Sequence, residues 1–256
     1  MIHPSAIIDP RAELDSSVSV GPFSLIGADV QIAAGTKIGS HVVIDGPTSI
    51  GRDNQIYPFA SIGGSAQDKK FHGELARLEI GERNLIREYC TLNRGTADGG
   101  NVTTVGSDNW IMAYVHIAHD CHVGNHTIFA NAASLAGHVT VDDHVILGGF
   151  TLISQFCQIG AHAFTSMGSI INRDVPPYVM VAGNFAEPKG INSEGLRRRG
   201  FSTSRIAAIK RAYKLIYKSG MLLADAQAHL SAAVEAEPDL KVLVDFINRS
   251  QRSLIR

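Results

Sequence analysis

The feature that most constrains this chain is an aliphatic residue that recurs at every sixth position. These anchors run from Ile2 to Ile62, from Ile80 to Leu92 and from Val105 to Ile171, and only Phe129 and Thr165 are not aliphatic. A period of six fits neither an α-helix nor a simple alternating strand. It predicts a mainly β fold, a parallel β-helix in which each hexad supplies one short strand and one turn. Three hexads close one triangular coil, so residues 18 apart stack at about the 4.8 Å strand spacing.

Two interruptions of the period predict segments that leave the coil. Ile62 and Ile80 are 18 residues apart, but residues 67–79 lack anchors. Leu92 and Val105 are 13 residues apart, which is one hexad plus seven residues. Insertions into a solenoid loop outward, and loops on a rigid scaffold commonly carry binding residues. We therefore expect binding residues in both insertions.

The three cysteines each follow an anchor by four residues, on the small position that points inward. Cys121 and Cys157 share a stack but lie two coils apart, which separates their Cα atoms by about 9–10 Å. That distance is too long for a disulfide. Cys90, Cys121 and Cys157 are therefore predicted to be buried, reduced and not catalytic.

Helical patterns replace the hexads near the end of the chain. Residues 174–177, Asp-Val-Pro-Pro, indicate a linker. Helices are predicted over residues 202–218, 223–235 and 238–249. The chain thus divides into a β-helix domain, residues 1–190, and a helical domain, residues 191–256, that covers one open end of the solenoid.

The formal net charge of −1 conceals an uneven distribution. Residues 1–190 hold 11 Lys/Arg against 18 Asp/Glu, and residues 191–256 hold 12 against 6. No acidic residue occurs from Arg197 to Lys218. This run is either a solvated helix face or a dock for a phosphate or an acidic protein. Nucleic acid is not an expected partner, because aromatic residues are not interleaved with the basic ones.

Two features of the chain predict its location. The hexads start at Ile2, without the basic and apolar regions of a signal peptide. No stretch is long and apolar enough to span a membrane. We therefore expect a cytoplasmic protein.

One column of histidines is predicted from the 18-residue coil. His126, His144 and His162 should stack as a ladder on the outside of the solenoid. Structural packing is favoured over metal binding, because imidazoles that share one direction do not surround an ion tetrahedrally.

His119 is the candidate for chemistry. It occupies an outward position, and Gly137 and then Gln155 follow it at intervals of one coil. An imidazole beside an open backbone N–H suits acyl transfer, because the ring can accept a proton from a hydroxyl and the N–H can stabilise an oxyanion. Asp120, also facing outward, would orient the imidazole, and the alternative is an ordinary exposed turn aspartate.

Four segments carry a resemblance to a known family. They are Ile117-Ala118-His119-Asp120-Cys121, Leu135-Ala136-Gly137-His138-Val139, Asp174-Val175-Pro176-Pro177-Tyr178-Val179 and Glu194-Gly195-Leu196-Arg197-Arg198-Arg199-Gly200-Phe201-Ser202. Together with the hexads, the lysine-bearing first insertion and the helical tail, they resemble the UDP-N-acetylglucosamine acyltransferases over essentially the whole chain.

The resemblance implies a homotrimer of left-handed β-helices with active sites between subunits. It implies transfer of a 3-hydroxyacyl group from acyl carrier protein to the 3-hydroxyl of UDP-N-acetylglucosamine, the first step of lipid A biosynthesis. Attack would be direct, without a covalent enzyme intermediate. No cofactor is implied, because the donor is carried on the phosphopantetheine of acyl carrier protein.

The resemblance also implies roles for individual residues. His119 would be the general base, Asp120 its partner and the Gly137 N–H the oxyanion donor. The remaining basic residues of the tail would dock the acidic carrier protein. Contacts with the substrates are implied for His138, Gln155, Gln67, Asp68, Lys70, Asn192, Glu194, Arg198 and Arg199.

Three positions depart from the family pattern. Asn93 and Ser154 stand where the family commonly has histidine, so substrate contacts are expected to differ there. Met167 stands where members that use long chains have glycine. A methionine would close the acyl groove sooner, which predicts a medium-length, decanoyl-like donor.

Two other functions are compatible with the solenoid. One is a zinc-dependent hydratase of the γ-carbonic-anhydrase type, which would use His116 and His122 across a trimer interface. The other is a non-catalytic structural solenoid, which leaves the insertions and the basic tail unexplained.

Overall fold

The computed structural model describes residues 1–250 and 252–256. Short parallel strands form three sheets, which are the three sides of a triangular solenoid. The first sheet contains β1 (Ile7–Ile8), β4 (Leu25–Ile26), β7 (Val43–Ile44), β10 (Ser61–Gly64), β13 (Thr91–Asn93), β16 (His116–Ile117), β19 (Ser134–Leu135), β22 (Leu152–Ile153) and β25 (Ile170–Ile171). The second sheet contains β2 (Glu13–Leu14), β5 (Val30–Ile32), β8 (Thr48–Ile50), β11 (Arg77–Ile80), β14 (Val102–Val105), β17 (His122–Val123), β20 (Thr140–Val141) and β23 (Gln158–Ile159).

The third sheet closes the triangle and ends in a hairpin. Its strands are β3 (Ser19–Val20), β6 (Lys37–Ile38), β9 (Gln55–Ile56), β12 (Leu85–Ile86), β15 (Trp110–Ile111), β18 (Ile128–Phe129), β21 (Ile146–Leu147), β24 (Phe164–Thr165), β26 (Val179–Gly183) and β27 (Ala186–Ile191). β26 continues the parallel stack on β24, and β27 turns back antiparallel to β26.

The predicted 18-residue register is confirmed. Ile117 pairs with Leu135, Leu135 with Ile153, and Ile153 with Ile171. All four side chains are buried, since the anchors of successive coils pack on one another inside the triangle. The cysteines are buried and free as predicted. Burial raises the pKa of Cys90 and of Cys157 to about 11 and that of Cys121 to about 12, so the thiols stay protonated at neutral pH.

The three corners of the solenoid matter for function. Corner one joins the first sheet to the second, and corner two joins the second sheet to the third. Corner two carries the predicted histidine ladder, with ring centroids 4.9 Å apart between His126 and His144 and 4.7 Å apart between His144 and His162. Both insertions leave at corner one: residues 65–76 between β10 and β11, and residues 94–101 between β13 and β14. The second insertion contains one 3-10 turn, Ala97–Gly99.

The C-terminal part of the chain differs from its prediction at three places. The predicted linker at residues 174–177 is wrong: Asp174 is buried and accepts hydrogen bonds from the backbone N–H of Gln158 and the hydroxyl of Ser250. The β26–β27 hairpin and a short first helix were also not predicted. The helices are α1 (Ser193–Arg198), α2 (Thr203–Lys218), α3 (Leu223–Ala233) and α4 (Leu240–Arg249).

The helical tail covers the last coil. Tyr213 and Tyr217 of α2 pack against the solenoid core, and Ile255 is buried in it. A backbone bridge joins Asp174 to Leu254. Among the described residues, the helices are all too short or too polar to cross a membrane.

Candidate active site

An open groove of about 530 Å³ lies on the first sheet beside corner one. Its floor is a column of outward side chains that the strand register stacks in the order His116, Ser134, Leu152, Ile170. The column spans three strand spacings, about 14 Å. Its polar end lies at His116, and its far end is apolar. The groove can therefore hold a polar group at one end and a hydrocarbon chain along its length.

His119 and Asp120 form a hydrogen-bonded pair at the polar end of this groove. The Nδ1 atom of His119 lies 2.8 Å from Oδ2 of Asp120. A carboxylate can only accept, so Nδ1 carries the proton and Nε2 keeps its lone pair. The imidazole is thereby oriented as a base, with Nε2 as its basic atom.

Both side chains are shielded from solvent. His119 is 4% exposed and Asp120 is 2% exposed. Both point away from the interior of the coil, but the two insertions cover them. Thr96 of the second insertion contacts Asp120, and Asp68 of the first insertion places Oδ2 3.9 Å from Nε2 of His119. Asp120 is therefore a shielded partner of His119 and not an ordinary turn aspartate.

Gly137 lies against the face of the His119 ring, as the register predicted. A Cβ atom at Gly137 would lie 2.5 Å from Cε1 and 2.7 Å from Nε2 of His119. The position thus needs glycine because of the imidazole. Within the described part of the chain, the Gly137 N–H donates to no protein acceptor, so it is available to a substrate oxygen.

His138 completes the polar side of the site. Its ring meets that of His119 edge-on at 5.2 Å and stacks on Phe156 at 4.4 Å. Its Nε2 lies 3.7 Å from Oδ2 of Asp120. Burial lowers the pKa of His138, so this ring is mainly neutral at neutral pH.

The first insertion brings three predicted residues to the site. Gln67 lines the groove together with His119. Asp68 and Lys70 line an adjoining cavity of about 240 Å³ with Thr96 and Asp98. The pKa of Asp68 lies below its ordinary value, chiefly because the Lys70 backbone N–H donates to its carboxylate at 2.9 Å. Asp68 therefore presents a negative charge close to Nε2 of His119.

Comparison with known proteins identifies the family. A profile described as UDP N-acetylglucosamine O-acyltransferase, domain 2, matches residues 174–255, and one described as bacterial transferase hexapeptide matches residues 103–137. An acyl-[acyl-carrier-protein]–UDP-N-acetylglucosamine O-acyltransferase from Stenotrophomonas maltophilia (strain K279a) is 56% identical over all of this chain and 97% of its own length. Its counterpart from Alkalilimnicola ehrlichii is 58% identical, over all of this chain and 99% of its own.

The chain belongs to the acyl-[acyl-carrier-protein]–UDP-N-acetylglucosamine O-acyltransferase family. The crystal structure of the member from Acinetobacter baumannii, LpxA, is 48% identical with a TM-score of 0.98. The member from Moraxella catarrhalis is 45% identical, also with a TM-score of 0.98. Both cover all of this chain and 99% of their own. The predicted family, enzyme class and β-helix with a helical tail are confirmed.

Asn93 and Ser154 are the two positions at which the sequence is expected to depart from histidines of the family. Asn93 is buried, and its Nδ2 donates to the carbonyls of Ser65, at 2.7 Å, and Gly64, at 3.3 Å. It therefore fixes the start of the first insertion, and its Oδ1 has no partner among the described residues. Ser154 lines the groove beside Gln155, where it leaves more room than a histidine would.

The tail residues for which substrate contacts were predicted do not contact His119 of the same chain. They lie at corner two, where Phe201 meets the ring of His162 edge-on at 5.2 Å. Asn192 accepts from the Gly195 N–H and donates to the carbonyl of His162. Glu194 pairs with Arg197 and Arg198, and burial of Arg199 lowers its pKa.

Met167, the predicted ruler of acyl length in this acyltransferase, is 75% exposed. It stands on the turn that leads into β25, and a Cβ at Gly149 would lie 4.0 Å from its Cγ. It does not line the groove of its own chain. A contact between Met167 and an acyl group therefore requires a groove that extends beyond a single subunit.

The zinc hydratase has little support in the geometry of a single chain. Over residues 1–250 and 252–256, the one group of side chains close enough to share a cation is His119, Asp120 and His138. Within that group, Nδ1 of His119 and Oδ2 of Asp120 are already hydrogen-bonded to each other. His116 bonds to Thr91 and His122 bonds to Thr104, on two different sheets.

Proposed function

We propose that this protein transfers a 3-hydroxyacyl chain of medium length from acyl carrier protein to the 3-hydroxyl of UDP-N-acetylglucosamine, with His119 as general base. The observation that carries the proposal is the shielded His119–Asp120 pair, set against Gly137 at the polar end of a groove with an apolar far end. The reaction would be the first step of lipid A biosynthesis, in the cytoplasm.

The proton path follows from the orientation of His119. Nε2 accepts the proton of the sugar 3-hydroxyl as its oxygen attacks the thioester carbonyl. Asp120 stabilises the imidazolium through the Nδ1 hydrogen bond. The carbonyl oxygen gains negative charge, and the Gly137 N–H donates to it. When the tetrahedral intermediate collapses, the C–S bond breaks and the imidazolium returns the proton to the departing phosphopantetheine sulfur.

The first insertion supplies the sugar contacts in this proposal. Gln67 and Asp68 lie next to His119. The Gln67 amide would accept from or donate to sugar hydroxyls, and the Asp68 carboxylate would accept from them. Lys70 offers a positive charge to a phosphate oxygen of the nucleotide. Since Asp68 lies 3.9 Å from Nε2, a sugar hydroxyl can lie near both groups.

Acyl length is tested by replacing Met167. Wild type should transfer a 3-hydroxydecanoyl chain faster than a 3-hydroxymyristoyl chain. Removal of the side chain in Met167→Gly should raise the ratio of kcat/KM for the longer over the shorter chain by about tenfold or more, because four further methylenes then fit. The measurement is a donor panel on acyl carrier protein with UDP-N-acetylglucosamine as acceptor.

Met167→Leu is the matched control, because leucine keeps the volume and should keep the medium-chain preference. An unchanged ratio in Met167→Gly would remove Met167 as the ruler. A wild type that acylates no UDP-N-acetylglucosamine with any donor would refute the proposed reaction itself.

The position of the tail residues supports a homotrimer. Arg199 and Asn192 lie at corner two, whereas His119 lies at corner one of the same chain. One substrate molecule cannot meet both corners of one triangular coil. A cyclic trimer resolves this, because its interface joins two different patches and brings corner one of a subunit to corner two of the next.

Subunit mixing tests this arrangement. His119→Ala and Arg199→Ala should each be weakly active alone, since each loses one half of every site. Co-expression in equal amounts should restore about a quarter of the wild-type sites, because a mixed trimer contains one interface with both halves intact. The control is a mixture of the two purified variant trimers under conditions in which they do not exchange subunits, and this mixture should not gain activity. Failure to recover activity in verified mixed trimers would contradict the shared site.

The acidic carrier protein is proposed to dock on α2. Lys210, Lys214 and Lys218 stand four residues apart on its exposed face. None of the three forms an ion pair with any described residue, whereas Arg205 and Arg211 pair with Asp239 and Glu237. Unpaired charges on one helix face are available to an acidic partner.

A further inference from the structure

The Asp120 carboxylate is held by a residue of the second insertion to which neither the motifs nor the family resemblance assigned a role. Thr96 donates its backbone N–H to Oδ1 of Asp120 at 2.8 Å and its hydroxyl to Oδ2 at 2.7 Å. One residue therefore binds both oxygens of the carboxylate. This fixes the plane of the carboxylate, and with it the direction in which Oδ2 faces Nδ1 of His119.

The insertion is built to keep Thr96 in this position. Thr96 is 5% exposed, and its carbonyl accepts from the N–H groups of Gly99 and Asn101, which closes the turn. Gly99 lies against Asp120 so closely that a Cβ there would be 1.9 Å from the carboxylate carbon. Any side chain at position 99 would therefore push the turn away from Asp120.

We infer that Thr96 is a positioning residue for the acyl transfer, acting through Asp120 on His119. The inference rests on the proposed role of His119 as base. The Thr96 hydroxyl and the His119 N–H share one oxygen, Oδ2. The hydroxyl thus sets both where this oxygen lies and how strongly it attracts the Nδ1 proton.

The test is Thr96→Val, which keeps the backbone hydrogen bond and removes only the hydroxyl. With one donor fewer, Oδ2 attracts the Nδ1 proton more strongly and favours the charged imidazole. The acid limb of the kcat/KM profile should move to higher pH, and kcat should fall about tenfold. KM for UDP-N-acetylglucosamine should stay unchanged. Thr96→Ser, which restores the hydroxyl, should restore both values.

One control separates positioning from folding. Thr127→Val removes a buried hydroxyl that bonds Asn109 at 2.7 Å inside the coil, and it should lower Tm without moving the pH profile. The titratable groups facing His119 are Asp120 and His138 at corner one, Asp68 on the first insertion and His116 on β16, and no variant changes them.

The outcomes distinguish this inference from the proposed function. An active wild type whose pH profile is unmoved by Thr96→Val overturns the role of Thr96 alone. An inactive wild type overturns the proposed reaction, and Thr96 is then judged by NMR titration of the labelled His119 ring. That titration should move to higher pH in Thr96→Val, and an unmoved midpoint would overturn the inference without any activity assay.

Discussion

His119→Ala should lower kcat for acyl transfer by about 10³-fold, with little change in KM for either substrate. Proton transfer by a positioned side chain contributes about 10²–10⁴-fold to a rate. Asp68, whose Oδ2 lies 3.9 Å from Nε2, is a poor substitute for this base because its pKa is lowered. Release of the free thiol of the carrier protein measures the rate directly.

His119→Asn refines this result. An asparagine amide can still donate to Asp120, so the buried carboxylate keeps a partner, but the variant has no basic nitrogen. Both variants should therefore be slow, and the asparagine variant should be the more stable. His229→Ala, on the exposed surface of α3, is the control and should keep wild-type activity. An alanine variant within about threefold of the wild-type rate would exclude His119 as base.

The hexad period could predict the central geometry of the site because it converts sequence distance into spatial distance. Gly137 follows His119 by one coil, and the structure places it against the imidazole. The same rule predicted the histidine ladder and the buried cysteines. A periodic fold thus allowed long-range contacts to be inferred without any alignment.

The insertions could not be predicted in the same way because they have no period. Nothing in the sequence around Thr96 shows that it folds back on Asp120, so the burial of the His119–Asp120 pair was missed. Thr96 itself carries no motif. Its one sequence signal is its place in a short insertion that leaves from the corner holding His119.

The last coil shows a second limit of predicting the structure from the sequence. The two prolines after Val175 predicted a linker, yet Val175 still bridges to Ile159 and β26 continues the third sheet. Proline removes a backbone donor, which is tolerated here because the last bridge of the second sheet, between Ile159 and Val175, ends before Pro176. The two prolines thus correctly indicated a turn, but the segment that contains them is not a linker separate from the core.

Gly137→Ala should lower kcat/KM by about 10²-fold while leaving the solenoid folded. Gly137 does not have the positive φ that would exclude alanine, so the backbone accepts the change. The new Cβ would instead overlap the imidazole, 2.5 Å from Cε1 and 2.7 Å from Nε2. The His119 ring has to move, and a displacement of about 1 Å in a catalytic group costs about 10²-fold.

Two directions are closed to the ring. Asp120 holds Nδ1 at 2.8 Å, and the edge-on contact with His138 closes another side. Gly27→Ala is the matched control, because a Cβ there meets its nearest atom, the Ile44 carbonyl oxygen, at 3.3 Å and lies in coils far from the site. Kinetics and thermal melts on both variants separate the effects: activity should fall only in Gly137→Ala. Wild-type kinetics in that variant would mean that the ring can shift without loss, and that its contact with Gly137 does not set the position of the base.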